Sequence, residues 1–280
     1  MVFSVSSASM EAGQRVIDLS APLAMAGISI FFITTYYTDF ILVPSKDHYT
    51  VVQALLARGF EVSGSDSAYV APTVISHSRA SSSSEVPSTP PPSNIVELQK
   101  CTFSQLKRKR VVPFVHPNLH LVQCSGRETS STGGYPSRLH SNGPGSNRRI
   151  DGSHWLDSID SKLYMGLMST LILQPRFLSI TLSKDDAPSL LLDKASLPLF
   201  GDSIAGDTEG DLVPIFLNLS NLPLESTGIV CGVASKLVEE LRIRGLPESE
   251  LSYLSTARAG AVILSSEQAD QAVEALMPLF

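Results

Sequence analysis

Three residues at steps of four, His116, His120 and Cys124, have the types that hold a metal ion. Their placement works against it: Pro117 breaks any helix that would align them, and along a strand they share one side at a pitch too wide for one ion. The acidic cluster Asp202, Asp207, Glu209 and Asp211 lacks the spacing of a calcium loop and reads as a solvated turn. Lys107 to Arg110, Lys-Arg-Lys-Arg, has the composition of a nuclear import signal or an anionic-surface contact, and equally of a solubilising run beside a polar tract. The patterns G-x-S-x-G, H-E-x-x-H, G-x-x-x-x-G-K and G-x-G-x-x-G do not occur, so nucleophile-elbow, zincin and common nucleotide-binding chemistries have no anchor. No catalytic residue, metal or cofactor is expected. What remains is binding chemistry. Ser29 and Ile30 open a strand just after Gly27, where backbone N–H groups suit a small carboxylate. Ser226 and Gly228 precede an apolar helical run whose N-terminus favours an anion, and Thr256 stands at the end of the next strand.

The elements that must position these residues follow from periodicity. Val2 to Val5 is a strand, and Ala12, Val16, Leu19, Leu23 and Ala26 lie on one helical face that Gly27 terminates. Pro22 falls inside that helix and predicts a kink. Ile28 to Thr34 and Phe40 to Val43 read as strands around the turn Thr35 to Asp39. Ser45 caps a helix bearing Val51, Val52, Leu55 and Leu56, and Phe60 to Val62 supplies a last strand. The C-terminal region repeats the order: Pro214 to Leu219 is a strand, and Ser226 caps a helix with Ile229, Val230, Val233, Leu237 and Leu241 inward. Leu251 to Ser255 and Ala261 to Leu264 are the next strands, and Ser265 with Gln268 forms a capping box for a helix carrying Ala272, Val273 and Leu276. Leu119 to Gln123, a helix near Trp155 to Leu173, Phe177 to Leu182 and Leu190 to Asp193 sketch a looser third copy. The expected fold class is therefore α+β, with tandem ferredoxin-like βαββαβ modules at 1–63 and 212–280, a degenerate one at 117–195 containing a long loop 126–152, and a disordered Ser/Pro-rich linker at 64–116. Each sheet would keep one face open and meet a partner through its edge or that face, and small ligands fall at such seams.

The 280 residues, 43% apolar and 17% charged, carry a net charge of -6, which disfavours nucleic acid as a partner. The most apolar run, Ala21 to Ile33, is too short to span a bilayer, and residues 1–12 lack the basic and apolar regions of a secretory signal. Cys101, Cys124 and Cys231 are odd in number and widely spaced, which fits a reducing, cytoplasmic setting in which the sequon Asn218-Leu219-Ser220 stays unmodified.

The stretch from Ile28 to Pro44, Ile-Ser-Ile-Phe-Phe-Ile-Thr-Thr-Tyr-Tyr-Thr-Asp-Phe-Ile-Leu-Val-Pro, with Thr227-Gly228-Ile229-Val230 and Leu254-Ser255-Thr256 later, resembles the ACT-domain proteins of the CASTOR family, cytosolic arginine sensors. The resemblance covers about 60 residues at each end. It implies the last three of four ACT modules, and hence a product lacking the leading module. It further implies a small amino acid between the first and last units of this chain, contacted by Ser29, Ile30 and Thr256, and a protein partner in nutrient signalling upstream of TOR complex 1. Homo-oligomers fit the same picture. Three family contacts differ: the aspartate expected at the ligand's amino group aligns with Gly260, a glutamate with Ser226 and an aromatic with Ala257. A buried cation without a carboxylate partner is costly, so arginine fits these positions poorly. Other readings of the same chain are a ligand-free interaction scaffold and an allosteric appendage acting in trans on an enzyme.

Overall fold

A computed structural model of the chain describes residues 1–5, 11–62, 92, 94–127, 160–183, 186–246 and 251–280. The N-terminal elements are β1 (Val2–Val5), α1 (Ala12–Met25), β2 (Phe31–Thr34), β3 (Asp39–Leu42) and α2 (His48–Leu56). Next come α3 (Ile95–Arg108), β4 (Pro113–Val115), β5 (Leu121–Gly126), α4 (Ser161–Leu173), β6 (Leu178–Thr181), β7 (Ser189–Asp193) and β8 (Ile204–Ala205). The chain ends with β9 (Leu212–Asn218), α5 (Ile229–Ile243), β10 (Ser252–Ser255), β11 (Ala259–Ser265) and α6 (Ser266–Leu276).

All the strands join one eleven-stranded sheet in the order β1-β3-β2-β10-β11-β9-β5-β7-β6, with β4 on β9 and β8 on β5. Three times the order places a third strand between a first and a second: β1-β3-β2, β9-β11-β10 and β5-β7-β6. That arrangement results when a helix carries the chain over the slot that the following hairpin strand fills. The second strands of the N- and C-terminal sets, β2 and β10, pair antiparallel at Ile33 and Leu254, and α1 packs along α5 above them. Two hydroxyls complete this joint. Thr34 accepts from the Tyr253 N–H at 3.0 Å; Ser255 accepts from the Phe32 N–H at 2.6 Å and donates to the Phe32 carbonyl at 3.2 Å. Their near-symmetric placement puts a local two-fold between the strands. Ser255→Ala leaves the buried Phe32 N–H and C=O unpaired and is expected to lower stability by about 1–3 kcal/mol, read as the urea unfolding midpoint.

Several sequence expectations change here. Phe60 to Val62 forms no strand. Residues 94–116 of the expected linker are ordered, and 64–91 lie outside the described residues: Asn94, whose side chain accepts from the Glu97 N–H at 2.8 Å, starts α3, and Leu98, Thr102 and Leu106 bury one face of it. β4 then pairs with β9 from Pro113↔Leu217 to Val115↔Ile215. The segment expected to be a tether thus supplies a helix and a strand to the C-terminal set, filling the sheet position beside β9. The basic run Lys107 to Arg110 closes α3, where positive charge complements the helix dipole. Helix α1 continues through Pro22 to Met25, and Gly27, at positive φ, follows its end as expected. Ser265 occupies the α6 N-cap but makes no side-chain cap, and the Ser266 N–H bonds the Asp211 carbonyl instead. Trp155 and most of the 126–152 loop lie outside the described residues.

The sheet face away from the helices is not left open. Leu119, Leu121, Leu191, Ala261 and Ile263 form a core there with Phe177, Phe216 and Leu254. The sheet curls over that core, for Ser252 of β10 donates to Gln123 of β5, a strand three places away, at 3.2 Å. The tip of the β2–β3 hairpin reaches the middle set as well. Tyr37 shares a 2.8 Å hydrogen bond with Ser125, the Tyr36 N–H donates to Ser189, and Thr38 donates to Asp186.

Candidate functional site

Between the N- and C-terminal sets lies a cavity of about 50 Å³, room for a few water-sized groups. One wall comes from the α1 terminus and the approach to β2. There Gly27, at φ 71°, allows the chain to turn back with the Ile28 N–H bonded to the Leu23 carbonyl, which brings Ile28, Ile30 and Phe31 to the cavity. The facing wall comes from the loop Leu219 to Ser226, the first turn of α5, and Tyr253 to Ala257.

Ile30, Ser226, Gly228 and Thr256 all reach this wall, whereas Ser29, one residue before Ile30, does not line it. Their roles differ from those expected. Ser226 does not cap α5; the N-cap is Gly228, at φ 80° and without a side chain, and the Ser226 hydroxyl accepts from Gln105 of α3 at 2.9 Å. Thr256 closes its own hairpin, accepting from the N–H groups of Arg258 and Ala259. Gly228 is clamped by α3: Thr102 donates to its carbonyl at 3.1 Å, and a Cβ there would sit 2.6 Å from Leu98. Gly232, one turn later, gives Thr102 the same close approach.

The first turn of α5 is buried, its N-cap offers no side-chain acceptor, and it carries no acidic residue. The leading N–H groups of a helix have no intrahelical acceptor, and the residues of this turn, Ile229 to Cys231, line the cavity. The same wall holds Tyr253, wholly buried, with no hydrogen-bond partner for its hydroxyl. Burial pushes the Tyr253 phenol above its ordinary pKa, so it is a neutral O–H donor. The other hydroxyls are committed: Ser20 donates to the Val16 carbonyl, Ser255 to Phe32 and Thr256 to Ala259. Among the described residues lining the cavity none is charged, and Glu225 is not one of them. The free groups are thus donors, namely the helix N–H groups, Tyr253 and the Ser226 proton, set in a wall of Ile28, Ile30, Leu222 and Leu224. Such a site fits a small anion with an apolar tail.

Tyr253 and the α3 residues Leu98, Thr102 and Gln105 were not among the sequence candidates. A capping pattern, Asn94-x-x-Glu97, before apolar residues at steps of three and four marks α3. No local signal marks Tyr253, because its unpaired hydroxyl depends on Gly260 opposite, where a Cβ would lie 3.1 Å from that oxygen.

Elsewhere the chemistry-bearing residues are separately engaged. His120 Nδ1 lies 2.7 Å from Asp211, Asp202 pairs with Lys162, and the Asp207 carboxylate accepts from the Glu209 and Gly210 N–H groups. Cys124 is buried, and desolvation pushes its thiol up to about 12. Among the described residues no three His, Cys, Asp or Glu side chains gather as a metal site, and no helix is long and apolar enough to cross a membrane.

Residues 1–57 match the family model of the ACT domain, so the N-terminal wall of the cavity belongs to an ACT domain. No curated protein matches the chain. A crystal structure from Vibrio cholerae, described as a protein of unknown function and possible transport protein, is 13% identical, covers 66% of this chain and 98% of its own, and superimposes with a TM-score of 0.35. A likeness at that level carries no argument.

Proposed function

We propose that the chain is a non-enzymatic regulatory protein of tandem ACT modules that binds a small carboxylate, such as an apolar amino acid, at the seam between its first and last units. One observation supports this above the rest: an uncapped helix N-terminus and an unpartnered, fully buried tyrosine hydroxyl line the same cavity. The ligand's carboxylate takes the α5 N–H groups, Tyr253 donates to it, and the tail lies along Ile30 and Leu222. Because two units share the cavity walls, the ligand favours their closed arrangement by whatever affinity it gains there. The uncharged lining favours a neutral tail over arginine, so TOR-linked arginine sensing is the less supported form of this reading.

Calorimetry against the twenty amino acids and the corresponding 2-oxo acids tests the proposal, and no heat from any of them at millimolar concentration retires it. Tyr253→Phe is expected to weaken the best ligand about tenfold, the worth of one hydrogen bond to a charged group. The same change removes an unsatisfied buried hydroxyl, so the ligand-free protein is expected to keep or gain stability. A Tyr253→Phe protein that unfolds more readily without ligand would assign the hydroxyl a structural role instead.

A further inference from the structure

We propose that the groove beside the α3–α5 contact is a docking site for an acidic amphipathic helix of a partner protein. The groove has a volume of about 350 Å³, far larger than the seam cavity, and shares no lining residue with it. One side is the α3 stripe Val96, Lys100, Phe103 and Lys107, at steps of four, three and four, so these residues share one side of the helix over about 16 Å. Lys236 of α5 and Leu279 of the C-terminal turn complete the lining. Helix α3 meets α5 through a different stripe, Leu98 and Thr102 against Gly228 and Gly232. Among the described residues no third helix fills the valley that the two leave beside them.

Charge and shape select the occupant. Three lysines line the groove and no carboxylate does, in a chain of net charge -6. Lys236 is already held by Glu240 at 2.7 Å and Glu239 at 3.5 Å. The available charge is therefore that of Lys100 and Lys107, both exposed and without an ion pair among the described residues. They stand seven residues apart, about 10 Å along α3, so carboxylates one heptad apart on a helix lying in the valley meet both. Between them the floor is apolar: Phe103, whose ring packs edge-on against Phe280 at 5.5 Å, lies there with Leu279, and Val96 is 59% exposed one turn before Lys100. An apolar side chain between the two acids covers that floor. This is the helix-in-groove mode, in which apolar anchors supply affinity and rim charges set register and orientation. A second copy meeting groove to groove would set lysine against lysine. Lys107, the first residue of the basic run, thus gains a use beyond closing its helix.

The experiment is fluorescence anisotropy with the full chain and a labelled, capped, alanine-based helical peptide that carries glutamates one heptad apart and leucines midway between them. Saturable binding is expected. It is expected to weaken about tenfold or more when Lys100→Glu and Lys107→Glu are combined, or when the peptide's glutamates become glutamines, and to fall with rising salt because the pairs lie at a rim open to water. Val96→Asp, in the first turn of α3 where a negative charge suits the helix dipole, is expected to leave circular dichroism unchanged and to weaken the same peptide several-fold. Three results overturn the proposal: no binding of the glutamate peptide at submillimolar concentration, equal binding of the glutamine peptide, or binding indifferent to the lysine changes. Binding of pyrophosphate or of phosphatidylserine vesicles with none of the peptide would assign the lysines to a phosphate and overturn it as well.

Discussion

Arg15→Met is expected to cost about 3–5 kcal/mol at neutral pH, because it strips the partner from a carboxylate with almost no contact with water. Asp39 is 1% exposed at the start of β3, and the Arg15 guanidinium on α1 bonds and neutralises it. Burial raises the Asp39 pKa, while Arg15 and a hydrogen bond from Thr34 oppose that rise. Removing Arg15 removes the opposition, so the carboxyl group rises further. For an acid whose pKa is higher folded than unfolded, the folded state binds the extra proton. Its stability contribution is complete below the unfolded value, near 3.8, and is lost as pH climbs through the folded value. The penalty of Arg15→Met is therefore expected to shrink towards pH 4, and Asp39→Asn in the same background is expected to restore much of the loss at pH 7. Urea midpoints at the two pH values decide the matter; an equal penalty at both would assign the effect to lost packing of the Arg15 chain rather than to charge.

Gly228→Val is expected to be nearly as costly, by two separable routes. At φ 80° a side chain adds about 1–2 kcal/mol of backbone strain, and the Cβ drives into Leu98 at 2.6 Å, where overpacking costs about 1–3 kcal/mol more. A cycle with Leu98→Ala separates them, since the truncation relieves the collision and leaves the strain. If the cycle shows no coupling, α3 is not held against this helix in solution. Hydrogen exchange in α3 gives the same information directly, with protection expected to fall in Gly228→Val and persist in the native chain.

Local elements were legible where one residue type decides the outcome. Gly27 and the α1 stripe Val16, Leu19 and Leu23 set the first helix and its end, and the repeat of that pattern at 212–280 predicted which regions would face each other. Ile30, Ser226, Gly228 and Thr256 meet at one cavity because those repeats do. Reading failed where a neighbour outbid a local signal. The prolines and serines before Asn94 obscured the capping pattern of α3, and Ser226 lost the capping role to a glycine because Gln105 holds its hydroxyl. Ser29 missed the cavity because residue-by-residue correspondence says nothing about which side of an extended segment faces inward. Tyr253 was illegible in principle: a missing hydrogen bond is a property of the surroundings, and no sequence window contains them.

The placement of α3 and β4 also limits how the molecule can be divided. A segment that precedes the middle set in the chain builds into the last one, so connectivity and spatial grouping disagree, and the polypeptide is interlaced rather than strung like beads. A fragment starting at residue 212 would lack the strand beside β9 and the helix across α5, leaving Ile215 to Leu217 without their β4 partners and uncovering Gly228 and Gly232. The smallest autonomous piece carrying the C-terminal cavity wall is therefore discontinuous, and any change that shifts residues 94–115 reaches that wall without touching it.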